Sequence, residues 1–129
     1  MNAVRYYSRS GNTKLVADAI ADAIHVKAVS VDQADAPLTE KADVLFIGGA
    51  LYAYGLDKHL KSYLESLDPA KVGKAVIFST SWISRHSIDL IRNALTKKGI
   101  AVAPETFYVK NKANEKQLED AREFAVKEI

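Results

Sequence analysis

The runs Val44-Leu45-Phe46-Ile47 and Ala75-Val76-Ile77-Phe78 are apolar at every position and built of large side chains but for Ala75. Successive side chains of a strand point to opposite faces, so a strand with one wet face alternates apolar and polar residues. A strand that is apolar throughout needs cover on both faces, which is the environment of a parallel sheet between two layers of helices. The rest of the chain supplies those helices. Residues 12–25 carry Leu15, Val16, Ala19, Ile20, Ala23 and Ile24 on one helical stripe. Residues 57–67 turn Leu60, Tyr63, Leu64 and Leu67 to one side, residues 87–98 read as a helix closed by Gly99, and residues 114–128 as a last helix. Three further strands are read at 3–7, 26–31 and 100–109. The polar stretch 32–42, with Pro37, reads as a loop where a helix is otherwise due.

Strands alternating with helices predict an α/β chain, a three-layer αβα sandwich whose crossovers are right-handed. Pro104 has no N–H for a ladder, so the last strand belongs at an edge. The short second strand takes the other edge, and the strong runs take the middle. The predicted order is 2-1-3-4-5, in a single domain over residues 1–129. Ligands of such sheets bind where neighbouring crossovers diverge, beyond the carboxyl ends of the first, third and fourth strands.

The loop after the first strand is Ser8-Arg9-Ser10-Gly11-Asn12-Thr13. It holds hydroxyls, one amide and one glycine, and a helix follows at once. Backbone N–H groups at a helix start have no partner within the helix, and the helix dipole favours an anion there. Ser8, Ser10 and Thr13 add donors without bulk, and Gly11 allows positive φ or a close approach. The bland alternative is a helix cap beside ordinary turn residues. The strand–loop–helix context favours a phosphate cradle. No Gly-x-Gly-x-x-Gly and no Gly-Lys-Ser/Thr occurs, so the dinucleotide and triphosphate fingerprints are absent. The two loops at the neighbouring strand ends are Ala50-Leu51-Tyr52-Ala53-Tyr54-Gly55 and Ser79-Thr80-Ser81-Trp82. Small residues with Tyr and Trp suit a flat aromatic ligand, which needs walls to stack on and backbone groups at its polar edge.

The order Ser-x-Ser-Gly-Asn-Thr after an N-terminal strand resembles the phosphate loop of the flavodoxin family, and the resemblance extends over essentially the whole chain. It implies a flavodoxin-like fold, FMN as cofactor and electron transfer as the activity. Ser8 to Thr13 then hold the phosphate, and Ala50 to Gly55 with Ser79 to Trp82 hold the isoalloxazine ring. Trp82 and Tyr52 are favoured over Tyr54 as the stacking residue. The resemblance also implies that a peptide of the 50–55 loop turns its carbonyl toward flavin N5 on reduction. The chain departs from the pattern in having no insertion in the fifth strand and no acidic-aromatic stretch after the fourth. Arg9 is unusual in such a loop, and both phosphate pairing and a solvent-facing position stand open for it. An FMN-dependent NAD(P)H or quinone reductase and a cofactor-free binding module are the rival readings. A phosphorylation-receiver domain needs carboxylates where this chain has Gly48-Gly49 and Ser8-Arg9-Ser10.

Composition limits the partners. Lys and Arg total 18 against 16 Asp and Glu, a formal net charge of +2, which argues for neither nucleic acid nor an anionic membrane. Cysteine is absent, so disulfides and thiolate chemistry are excluded. No histidine–carboxylate group has metal-ligand spacing. With no basic-apolar leader and no apolar run of spanning length, a cytoplasmic protein is expected, monomeric or weakly dimeric. Its partner is expected to be a redox protein or a small-molecule electron acceptor, met with weak charge steering. A local acidic patch including Asp57 is the alternative to weak steering. His59, between Lys58 and Lys61, reads as part of a solvated helix face, and Arg85-His86 as a helix N-terminal turn.

Overall fold

The computed structural model describes residues 1–52, 55–81 and 84–129. Five parallel strands form the main sheet: β1 (Asn2–Tyr6), β2 (Ala28–Ser30), β3 (Ala42–Gly49), β6 (Val72–Thr80) and β7 (Val102–Val109). Their spatial order is β2-β1-β3-β6-β7, which is 2-1-3-4-5 when the five are counted in chain order. Two short strands, β4 (Leu51–Tyr52) and β5 (Gly55–Leu56), form an antiparallel pair beyond β3. The sequence reading took this segment as loop, because two-residue strands leave no periodic signal. The helices are α1 (Asn12–Ala23), α2 (Lys58–Ser66), α3 (His86–Lys97) and α4 (Glu115–Glu128). The turn Pro69–Lys71 is a short 3-10 helix that the sequence reading did not separate.

The apolar runs occupy the sheet centre as expected. Leu45, Ile47, Ala75 and Ile77 face one layer with Leu60, Leu64, Ile91 and Leu95 of α2 and α3. Val44, Phe46, Val76 and Phe78 face the other, with Val16, Ala17 and Ile20 of α1 and Ala121 and Ala125 of α4. Phe46 and Phe78 are fully buried, each burial stabilising by roughly 1.5–3 kcal/mol. Pro104 lies in β7 at the sheet edge, where the register shifts between Ala75 and Ile77 of β6.

The missing second helix is replaced by turns over residues 31–41. One acceptor pins this connection. The carbonyl of Ala36 receives Arg5 Nε at 2.7 Å and Tyr63 Oη at 2.7 Å. The buried Arg5 thus ties the loop back to β1, and Tyr63 ties it to α2.

Strands β1 and β3 run in register from Asn2 opposite Val44 to Tyr6 opposite Gly48. The Tyr7 N–H still reaches the Gly48 carbonyl at 3.2 Å. After that the chain leaves β1 toward α1 and leaves β3 toward the β4–β5 pair, and the two loops stand side by side. A Cβ on Gly48 would run into the ring and the carbonyl oxygen of Phe78. Gly48→Ala is therefore expected to destabilise the protein by about 1–3 kcal/mol, the usual cost of overpacking. The denaturant midpoint reads this, with an unchanged midpoint as the contrary result.

Candidate functional site

Gly11 precedes α1 with φ of 94°, the left-handed region that a side chain would resist. Helices α2 and α4 each carry a side-chain cap, from Asp57 and Asn114, but α1 has none. Its first turn opens on a cavity of about 360 Å³ lined by Ser8, Ser10, Asn12, Thr13, Ala50, Leu51, Tyr52, Thr80, Ser81 and Asn111. That volume falls in the ~300–1,000 Å³ range of small-molecule pockets. A larger groove of about 460 Å³ lies between α2 and α3, lined by residues such as Leu56, Leu64, Leu90 and Lys97. It has neither a hydroxyl cluster nor a helix N-terminus, so size alone does not identify the site.

The hydroxyls of the first loop have distinct jobs. Ser8 Oγ accepts from the Gly11 N–H at 2.9 Å and so shapes the turn. Ser10 Oγ is 3.5 Å from the Asn12 nitrogen, a weak contact that leaves it near the rim. Thr13 is buried, and its Oγ1 lies 2.6 Å from Thr80 Oγ1, linking the start of α1 to the end of β6. Ser81 shares the cavity wall, its N–H bound to the Val109 carbonyl at 3.2 Å, and Tyr108 Oη donates to its carbonyl. Ser79 differs from the other predicted residues. Its Oγ donates to the Gly49 carbonyl at 2.6 Å and is 2.6 Å from Ser87 Oγ, fully buried beneath the site. Ser79 braces strand ends and does not line the cavity.

The structure thus brings Ser8, Ser10, Asn12, Thr13, Ala50, Leu51, Tyr52, Thr80 and Ser81 to one cavity. Gly11 shapes the turn and Gly55, with φ of 105°, starts β5. Ala53, Tyr54 and Trp82 lie outside the described residues. Asn111 was not anticipated. It follows β7 with φ of 65° and its Oδ1 accepts from Asn12 Nδ2 at 3.2 Å. Its signal was available: Asn after a strand tolerates the left-handed region better than most residues.

Arg9 lies at the surface, its side chain 42% exposed, and is paired within the protein. Its Nε and Nη2 both donate to Asp57 Oδ2, at 2.8 and 2.5 Å, and its guanidinium lies 4.0 Å from the Tyr52 ring centroid. Asp57 is only 3% exposed, so it contributes no acidic surface patch, contrary to the alternative raised from sequence. Its other oxygen, Oδ1, accepts the His59 N–H at 2.8 Å, capping α2, and lies 2.9 Å from His59 Nδ1. The His59 ring stacks on Tyr7 with centroids 4.8 Å apart, so this residue is exposed, as read from the sequence, and also partnered. Arg85 likewise has a partner, its guanidinium 5.0 Å from the Tyr108 ring centroid.

Burial pushes the Asp57 carboxyl up. The hydrogen bonds from His59 and Arg9, with the Arg9 charge, outweigh that and hold it below the ordinary carboxylate value. The Tyr52 phenol is raised by burial, which the Arg9 N–H and charge offset only in part, so it stays protonated at neutral pH.

A family model for the flavodoxin domain matches residues 3–128, and the chain belongs to the flavodoxin family. FMN is the cofactor of that family. Among solved structures, a flavodoxin from the domain Archaea superposes with a TM-score of 0.87 at 21% identity, covering 98% of this chain and 95% of that one. Oxidised flavodoxin 1 from Bacillus cereus gives 0.77 at 23% identity, with 96% and 93% covered. Two-electron reduced Megasphaera elsdenii flavodoxin gives 0.73 at 23% identity, with 98% and 99% covered. No curated protein sequence matches. Among the described residues no helix is long and apolar enough to cross a membrane.

The depressed Asp57 pKa has a sign that can be tested. A carboxylate whose folded value lies below its unfolded value adds stability above the unfolded value and loses it as pH falls through the folded one. Arg9 and His59 bond this group, and Tyr52 interacts with it electrostatically. The stability gap between wild type and Asp57→Asn is expected to hold down to the ordinary carboxylate value of 3.8 and to shrink below it. Urea midpoints of both proteins against pH measure this, and a gap that grows on acidification would contradict it.

Proposed function

We propose that this chain binds FMN in the cavity at the carboxyl ends of β1, β3 and β6 and works as an electron carrier. The observation that carries the reading is the composition of the cavity wall. Its described lining holds hydroxyls, amides and one phenol, and no carboxylate, histidine or lysine. A wall of that kind fits the group: neutral donors surround a phosphate at an uncapped helix start, and apolar and aromatic residues meet a flat ring. FMN, when bound, supplies the redox chemistry. The protein's share is to bind, orient and shield it.

In this reading the N–H groups of the first turn of α1, with Ser10 Oγ and the side chains of Asn12 and Asn111, receive the phosphate. Thr13 and Thr80 fix one another and hold α1 against β6. Tyr52 forms the outer wall, and Ala50, Leu51, Thr80 and Ser81 meet the ring. The cavity offers no general base or acid poised near neutral pH among its described residues, because the Tyr52 phenol is held protonated. This favours an electron carrier over a reductase that must move protons from its own side chains. Purified protein is expected to oxidise NAD(P)H no faster than free FMN does.

Ser10→Ala removes one hydroxyl and no buried partner. It is expected to weaken FMN by about ten- to a hundredfold, given roughly 1.5–3 kcal/mol for a hydrogen bond to a charged group, and to leave riboflavin binding unchanged. Equal effects on FMN and riboflavin, or none on either, would refute the phosphate assignment. The redox partner is a protein or a small-molecule acceptor. With a net charge of +2 and Asp57 buried, electron transfer to a basic cytochrome is expected to depend little on ionic strength. A steep fall with salt would contradict this, since screening acts only where attraction exists.

A further inference from the structure

Arg9 sits inside the loop read as a phosphate cradle, yet its charge is directed to the opposite wall. Its Nε and Nη2 both meet one oxygen of Asp57, and the other oxygen is occupied by the N–H and ring of His59. Turning Arg9 toward an anion would leave that buried carboxylate oxygen without its cation, which is costly in a desolvated position. The same guanidinium lies over the Tyr52 ring. His59 completes a circuit by stacking on Tyr7, which immediately precedes the loop. Two members of the circuit, Tyr7 and Arg9, belong to the β1–α1 connection. The other two, Asp57 and His59, belong to the start of α2.

We propose that Arg9 is a positioning residue, not a phosphate ligand: paired with Asp57, it fastens the 8–13 loop to the start of α2 and sets the Tyr52 ring at the cavity wall. Arg9 then raises affinity for the ring-bearing part of the cofactor by holding the site in its binding shape, and its effect is indifferent to the phosphate. Preorganisation of this kind acts by lowering the ordering cost of binding. The geometry also explains why the loop tolerates an arginine beside neutral donors. Its charge is spent on a partner within the protein.

The inference rests on the proposed FMN site, and its test separates the two. The proteins are wild type, Arg9→Gln, Arg9→Lys, Asp57→Asn and the Arg9→Gln/Asp57→Asn double variant. Asparagine keeps an acceptor for the α2 cap while removing the charge. The probes are FMN and riboflavin titrations, and amide hydrogen exchange of the apoprotein at Leu51, Tyr52, Gly55 and Leu56. Arg9→Gln is expected to weaken FMN and riboflavin by the same factor, about tenfold for loss of one charge-assisted contact. Asp57→Asn should match it, the double variant should be no worse than either single one, and Arg9→Lys should recover part of the loss. Exchange at the four amides should quicken in both single variants. A loss of FMN binding with riboflavin unaffected would make Arg9 a phosphate ligand and overturn the proposal, as would additive single effects or unchanged exchange. If wild type binds no flavin, the FMN reading fails, while the exchange measurement still decides the fastening.

Discussion

The parallel pairing of β1 with β3 is the constraint on which the rest of the site depends. These strands are adjacent in the sheet but distant in sequence, and their crossovers leave in opposite directions. β1 feeds α1 toward β2, whereas β3 feeds α2 toward β6. The register carries Tyr6 opposite Gly48, so both loops begin at the same height and diverge from there. A crevice at that level follows from topology. Phe46 and Phe78 on one face and Leu45 and Ile77 on the other keep the strands that define it covered.

What makes the crevice specific is how its polar groups are distributed between structure and binding. Several hydroxyls that look available in the sequence are consumed by the fold. Ser79 joins Gly49 to Ser87, Thr13 joins Thr80, and Ser8 holds the Gly11 N–H. These bonds fix the ends of β3 and β6, the start of α3 and the first turn of α1 relative to one another. No buried side-chain nitrogen or oxygen among the described residues lacks a partner, so the floor needs no ligand to satisfy its polar groups. The groups left facing the cavity are neutral, suited to an anion met by oriented dipoles rather than by a counter-charge. The one cation of the loop, Arg9, is directed into the wall.

Much of the fold was legible in the sequence for a simple reason. Val44–Ile47 and Ala75–Phe78 are apolar at every position, and only a doubly covered parallel strand fits such a pattern. Pro104 marked the edge strand because it lacks an N–H. The β4–β5 pair was not legible, being two residues a side. Nor was the Ala36 anchor, where a buried arginine and a tyrosine meet one carbonyl across 31 and 27 residues. At the site, the first loop announced itself by its hydroxyls and glycine before a helix. The fate of Arg9 did not, because it depends on Asp57, which lies 48 residues away. Asp57 opens the segment read as a helix and caps it; its second oxygen carries the information that no local pattern holds. Asn111 carried a local signal for its left-handed backbone but none for its meeting with Asn12, which the placement of β7 beside β6 brings about.

The central claim is that a flavin phosphate meets the first turn of α1 while its ring lies against the 50–52 and 80–81 segments. Backbone amide chemical shifts of isotope-labelled protein, followed during separate titrations with FMN and riboflavin, test this most directly. The account predicts that both ligands shift Ala50, Leu51, Tyr52, Thr80 and Ser81, and that only FMN strongly shifts Ser10, Gly11, Asn12 and Thr13. Shifts centred on Leu56, Leu64, Leu90 and Lys97 in the α2–α3 groove, or the same pattern at the α1 start with both ligands, would contradict it.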